Sequence, residues 1–150
     1  MSGAGPGQVL FAFVRHWSRR SPAGDHTVAE QGRLVLVTEA VHALGRRGVA
    51  ATVNAVADEI GIDQSGASRL VKRATEAGYL TMRAPEADGR LRQATLTAAG
   101  HTMLDQAHAW QEQMFDQLTE GWSDQRRRAF QEAMADLMDR SYALTGHRGS

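Results

Sequence analysis

The stretch QSGASRLVKR, Gln64 to Arg73, carries the side chains with the clearest chemical purpose. Its apolar positions Ala67, Leu70 and Val71, continued by Ala74, recur at helical spacing and therefore share one face. Gln64, Ser65, Ser68, Arg69, Lys72 and Arg73 are left on the opposite face, short polar groups first and cations after them. Small donors in the first turns of a helix can reach base edges, and the cations that follow can pair with phosphates or a guanine edge. Further along, DGRLR puts Arg90 directly after an Asp88-Gly89 turn. An arginine at a hairpin tip is suited to the negative potential of a narrow minor groove. Asp88 is then the group that orients a neighbouring guanidinium, Arg83 or Arg90 itself, and Arg92 is a phosphate contact or a surface ion pair.

These groups need elements to hold them. TVNAVADEIG has Thr52 as an N-cap, Val53, Val56, Ala57 and Ile60 on one stripe, and Gly61 as a stop. Asp63 caps the next helix, which ends at Gly78, so two short helices joined by a tight turn form a helix-turn-helix. YLTMRA (79–84) and RLRQATLT (90–97) read as the strands of a wing around the PEADG turn. Before this segment the pattern predicts helices over about 7–20 and 29–45. The first is apolar around most of its circumference, through Val9, Leu10, Phe11, Phe13, Val14 and Trp17, which predicts burial on two sides against a partner subunit. The second has Leu34, Val37, Val41 and Leu44 on one face. After the wing, Thr97 caps a long helix over about 98–119, and Ser123 opens a last one carrying Phe130, Met134, Leu137, Met138 and Tyr142. MSGAGPG at the start and HRGS at the end read as a flexible lead and a frayed tail.

The 150 residues carry 17 basic and 17 acidic side chains, but the balance is uneven along the chain. Residues 64–97 hold six Lys/Arg against three acids, and residues 98–150 hold five against eight. Net neutrality is therefore no obstacle to a nucleic-acid surface, because what matters is whether the cations share a face. The absence of cysteine excludes disulfides and thiolate metal sites and is compatible with a cytoplasmic location. The longest apolar run, VLFAFV, is far short of the ~20 residues a membrane helix needs, so a soluble protein is expected.

The order of elements, TVNAVADEIGIDQSGASRLVKRATEAGYLTMR, and DGRLRQATLTAAG together resemble the multiple antibiotic resistance regulator (MarR) family of winged helix-turn-helix transcriptional regulators. The most specific part is Asp88 and Arg90 followed by Leu96, Thr97 and Gly100. Ala74 and Thr75 depart from it, standing where the family usually has Leu and an acid. The resemblance implies a mainly α fold in one domain over 1–150. Its winged helix-turn-helix lobe would span about 46–97, and helical dimerisation segments about 7–45 and 98–146. It implies a homodimer on a pseudo-palindromic double-stranded DNA operator, acting as a repressor released by a small-molecule effector. Effectors in that family often bind between the dimer body and the DNA-binding lobe. The corresponding cleft here would draw on His16, Trp17, His42 and the part of the fifth helix that holds His108.

His108 and Glu112, one helical turn apart, keep a zinc-responsive regulator open as an alternative, although no tight His or Cys motif supports it and no metal or other cofactor is expected. A winged helix used for protein contacts is the other alternative; it would need an apolar patch on the 64–73 outward face, which has none. Catalysis is not expected. Asp58 with Glu59 and Asp136 with Asp139 are the nearest acid pairs, and neither accompanies a phosphate-cradling glycine loop or a nucleophile elbow. RRR at 126–128 reads as a solvated helix face.

Overall fold

The computed structural model describes residues 3–18, 26–84 and 92–146. Its elements run α1 (Pro6–Ser18), α2 (His26–Arg46), α3 (Val53–Ile60), α4 (Gln64–Glu76), β1 (Leu80–Arg83), β2 (Gln93–Leu96), α5 (Ala98–Leu118) and α6 (Asp124–Gly146). They form two compact units, Met1–Ala107 and His108–Ser150. The fold is mainly α with a winged helix-turn-helix.

In the first unit, α2 supplies the platform. Leu34, Val37, Val41 and Leu44 are all buried along one face, as their spacing predicts. Thr38 is fully buried among them and satisfies its hydroxyl by donating to the Leu34 carbonyl at 2.7 Å. Against this face pack Val56 and Ala57 of α3, Ala67, Val71 and Ala74 of α4, Leu80 of β1 and Ala94 of β2. The two strands pair antiparallel from Leu80↔Leu96 to Arg83↔Gln93. The Ala94 amide also donates to the Ala51 carbonyl at 2.8 Å, tying the wing to the segment before α3.

The strands are shorter than the sequence pattern suggests, and hydrogen bonding explains why. The Tyr79 amide is taken by the Ala74 carbonyl at the end of α4, so β1 starts at Leu80. Thr97 is taken by the start of α5, so β2 stops at Leu96. α2 begins at His26, earlier than expected, and α1 opens on Pro6, whose missing amide proton is no loss at a first helical position.

The second unit is the end of α5 and all of α6. Ser123 caps α6, its Oγ accepting from the Arg126 amide at 3.1 Å. Phe130 stacks on Phe115 with the rings 6° from parallel and meets Trp122 edge-on. Arg126 and Arg128 are exposed, as a solvated face requires, but this corner gives Arg126 and Arg127 partners. Arg126 lies 3.9 Å over the Trp122 ring, and Arg127 donates to Asp116 Oδ1 at 2.8 Å and to Thr119 Oγ1 at 2.9 Å. Asp136 is likewise engaged by Arg140 at 2.9 Å.

Large apolar side chains remain exposed on α1 and α6. Phe11 is 68% and Leu137 51% accessible, and α6 buries none of its residues. By contrast Leu80 is 1% accessible at the junction of α2, α4 and the sheet. Leu80→Ala is expected to cost about 2 to 5 kcal/mol, read in urea as a lower midpoint at unchanged slope.

Candidate nucleic-acid interface

The helix-turn-helix is held by four devices, the first three at residues the sequence suggests. Thr52, extended at φ −70° and ψ 163°, accepts from the Ala55 amide at 3.1 Å and starts α3. Gly61 ends α3 at φ 80°, a left-handed conformation that brings the Gly61 and Ile62 amides onto the Ala57 carbonyl. Asp63 then accepts from the Gly66 amide at 2.8 Å and starts α4. An added Cβ at Gly66 would fall 2.7 Å from Asp63 Oδ1, so a side chain there would displace the capping carboxylate. The fourth device joins α2 to α3: Arg47 donates twice to Glu59, Nη1 to Oε1 at 3.2 Å and Nη2 to Oε2 at 2.6 Å. A planar bidentate pair fixes orientation as well as distance, so it holds α3 against the end of α2. Glu59 is thereby a structural partner of an arginine.

α4 divides as its spacing predicts. Ala67, Val71 and Ala74 are buried and Leu70 is partly covered, while Gln64, Ser65, Ser68, Arg69, Lys72 and Arg73 are all exposed. The six form one face of polar groups followed by cations, with no apolar side chain among them.

The wing stands beside this face. Met82, Ala94 and Leu96 turn toward the core, and Thr81 and Thr95 pair on the other side of the sheet through their hydroxyls at 3.0 Å. Arg83, exposed at the end of β1, pairs in register with Gln93. Arg92 lies beside α4. With Ser68, Lys72, Thr75 and Glu76 it lines a groove of about 320 Å³ over an apolar floor of Val53, Val71 and Met82. Ser68, Lys72 and Arg92 thus come together. Asp88 and Arg90 lie outside the described residues.

Residues 36–91 match a family model described as MarR family. This segment is a MarR-family winged helix. Solved structures share the fold over most of the chain. A MarR transcriptional regulator from Methanosarcina mazei Go1 is 14% identical, with 91% of this chain and 98% of that chain covered and a TM-score of 0.66. A MarR family transcriptional regulator from Silicibacter pomeroyi DSS is 18% identical over 93% and 95%, with a TM-score of 0.65. Bordetella bronchiseptica BpsR, whose DNA binding is regulated by 6-hydroxynicotinic acid, is 21% identical over 88% and 97%, with a TM-score of 0.56. No curated protein matches the sequence.

The histidines have neighbours of their own. His16 meets Trp17 edge-on, with ring centroids 6.1 Å apart, and Trp17 also packs on Phe13. His42 of α2 meets His101 of α5 edge-on at 6.0 Å. His101 was not marked by the sequence, because a single histidine in the first turn of a helix has no spacing that points to a partner on another element. His108 belongs to the second unit. Among the described residues no group of three or more His, Cys, Asp or Glu could hold a metal ion.

The start of α4 in this MarR winged helix rests on the Asp63 carboxylate. Asp63→Ala is expected to lower stability by about 1 kcal/mol and Asp63→Asn by much less, since asparagine also caps well. Thermal or urea unfolding of the two variants checks this.

Proposed function

We propose that this protein is a transcriptional regulator that binds a two-fold-related DNA operator as a homodimer, with α4 in the major groove and the wing over the neighbouring minor groove. The observation that carries the reading is the exposed row of Gln64, Ser65, Ser68, Arg69, Lys72 and Arg73 above a buried stripe. In a helix-turn-helix the second helix is the one that reads base edges, and its first turns do most of the reading. Gln64, Ser65 and Ser68 read bases; Arg69, Lys72 and Arg73 anchor to phosphates or a guanine edge. Arg92 adds a phosphate contact from the wing side of the groove it shares with Lys72. Arg90, after the Asp88-Gly89 turn, enters the minor groove and favours A·T-rich flanks, with Asp88 and Arg83 orienting it.

The homodimer is supported by α1 and α6. Val9, Leu10, Phe11, Phe13 and Val14 on α1, and Leu137, Met138 and Leu144 on α6, are large apolar side chains left exposed in the single chain, which a partner subunit would cover. Two copies on one operator match its two half-sites, spaced by about one helical turn, roughly 10 base pairs. The protein is a repressor released by a small organic effector, a reading supported by the regulation of BpsR by 6-hydroxynicotinic acid. His16, Trp17 and His42 in the first unit, and His108 in the second, are the candidate aromatic and polar residues for such a ligand. Among the described residues no helix is long and apolar enough to cross a membrane. A DNA regulator of this kind works in the cytoplasm.

Sedimentation at micromolar concentration is expected to show a dimer; a stable monomer would overturn the two-fold operator. Lys72→Ala should weaken binding about equally on operator and random DNA, and lower the salt slope by about 0.9 per lost phosphate contact, twice that in a dimer. Ser68→Ala should instead change which bases are preferred. Titrations at several salt concentrations separate the two, and an altered base preference in Lys72→Ala at unchanged slope would refute the division between readers and anchors.

A further inference from the structure

We propose that Thr97 is a positioning residue for DNA recognition: its hydroxyl clasps the base of the wing to the end of the recognition helix and so sets the spacing between what α4 reads and what the wing reads. The inference rests on the DNA-binding reading above.

The clasp begins where α4 ends. Gly78, at φ 88°, lets the chain reverse, with the Gly78 amide on the Thr75 carbonyl and the Tyr79 amide on the Ala74 carbonyl. This leaves the carbonyls of Gly78 and Tyr79 beyond the helix, just ahead of β1. Both are met by Thr97, the residue that follows β2. The Thr97 amide donates to Tyr79 O at 3.0 Å, and its hydroxyl donates to Gly78 O at 2.5 Å. The same hydroxyl accepts from the Gly100 amide at 3.0 Å and so caps α5.

Two roles therefore meet in one oxygen, and they make different chemical demands. An N-cap needs only an acceptor, which is why Asp and Asn serve as well as Ser and Thr. The bond to Gly78 needs a proton to give, and a carboxylate has none. Capping α5 explains the acceptor; only the clasp explains the donor.

Gly100 completes the arrangement sterically. It is buried, and a Cβ added there would collide with the Tyr79 carbonyl oxygen, a backbone atom that cannot rotate aside. The first turn of α5 thus lies against the wing base as closely as a residue without a side chain permits. Hydrogen bonds from Thr97 draw the two together, and Gly100 leaves the space for it.

The hairpin springs from this clasp. Its first pair is Leu80↔Leu96 and its last described pair Arg83↔Gln93, about 10 Å further out at roughly 3.3 Å per residue. A small tilt at the base grows along that length, whereas α4 is held independently by the buried Ala67, Val71 and Ala74. Slack at Thr97 therefore moves the wing relative to the recognition helix and leaves the recognition helix in place.

The test uses the full-length protein on operator duplexes selected by the wild type. One set differs only in an A·T or G·C flank, another in single mismatches within the segment read by α4, and Arg90→Ala serves as the flank-blind control. The wild type should prefer the A·T flank by roughly fivefold or more, the effect of one specific contact. Thr97→Val, which loses both roles, should bring that ratio close to one while keeping mismatch discrimination, and Thr97→Ser should restore it. Thr97→Asp keeps the cap and lacks the proton, so it should melt near the wild type yet be flank-blind. This variant separates positioning from stability even if Thr97→Val folds poorly. A wild-type flank ratio in Thr97→Asp, flank and core discrimination lost together, or a wild type that binds its operator without flank preference would each overturn the proposal. A wild type that binds no DNA would overturn the DNA-binding reading itself, which is a different result.

Discussion

Ala67 and Ala74 are fully buried and Val71 is nearly so, and the rest of the first unit depends on how small these side chains are. They let α4 settle close to α2 and α3, where Val37 and Val56 fill the space between the helices. Close packing of this kind fixes the rotation of a helix about its own axis, because turning it would drive a polar residue into a dense core or open a void. The outward row from Gln64 to Arg73 follows from that rotation. Enlarging Ala74 would therefore disturb the polar face by moving the helix that carries it.

Rotation alone does not place a helix end, and here the termini are tied individually. Thr52, Asp63, Thr97 and Ser123 each accept a backbone amide three residues on, satisfying donors that a helix cannot satisfy internally. Gly61 and Gly78 close α3 and α4 with left-handed turns. The bidentate Arg47–Glu59 pair adds a fixed strut between α2 and α3. The outcome is a short second helix of the helix-turn-helix whose start, end and facing are each set by a different interaction.

The exposed apolar residues of α1 and α6 follow another logic. They carry side chains as large and apolar as those of the core, yet Phe11, Phe13, Leu137 and Met138 are each at least half accessible in the single chain. Burial energy scales with apolar area removed from water, and these helices have surface available for that purpose. The α5–α6 corner, by contrast, completes itself through Phe115, Trp122, Phe130 and the arginines stacked or bonded around them.

Much of this was legible in the sequence because it is local. Caps, left-handed stops and the 3.6-residue period act over a few residues, so Thr52, Gly61, Asp63, Thr97 and Ser123 could be assigned from neighbours alone, as could the two faces of α4. The family resemblance was likewise carried by motifs along the chain. Contacts between distant segments were not legible, since no spacing encodes them. The meeting of His42 with His101, the Arg47–Glu59 strut, the placing of Arg92 beside Lys72 and the Arg127–Asp116 pair each join residues eleven or more positions apart. The Thr97 hydroxyl combines the two cases. Its acceptor role was written in the sequence as a helix cap, while its donor role depended on the fold bringing the Gly78 carbonyl, nineteen residues earlier, within reach of its proton.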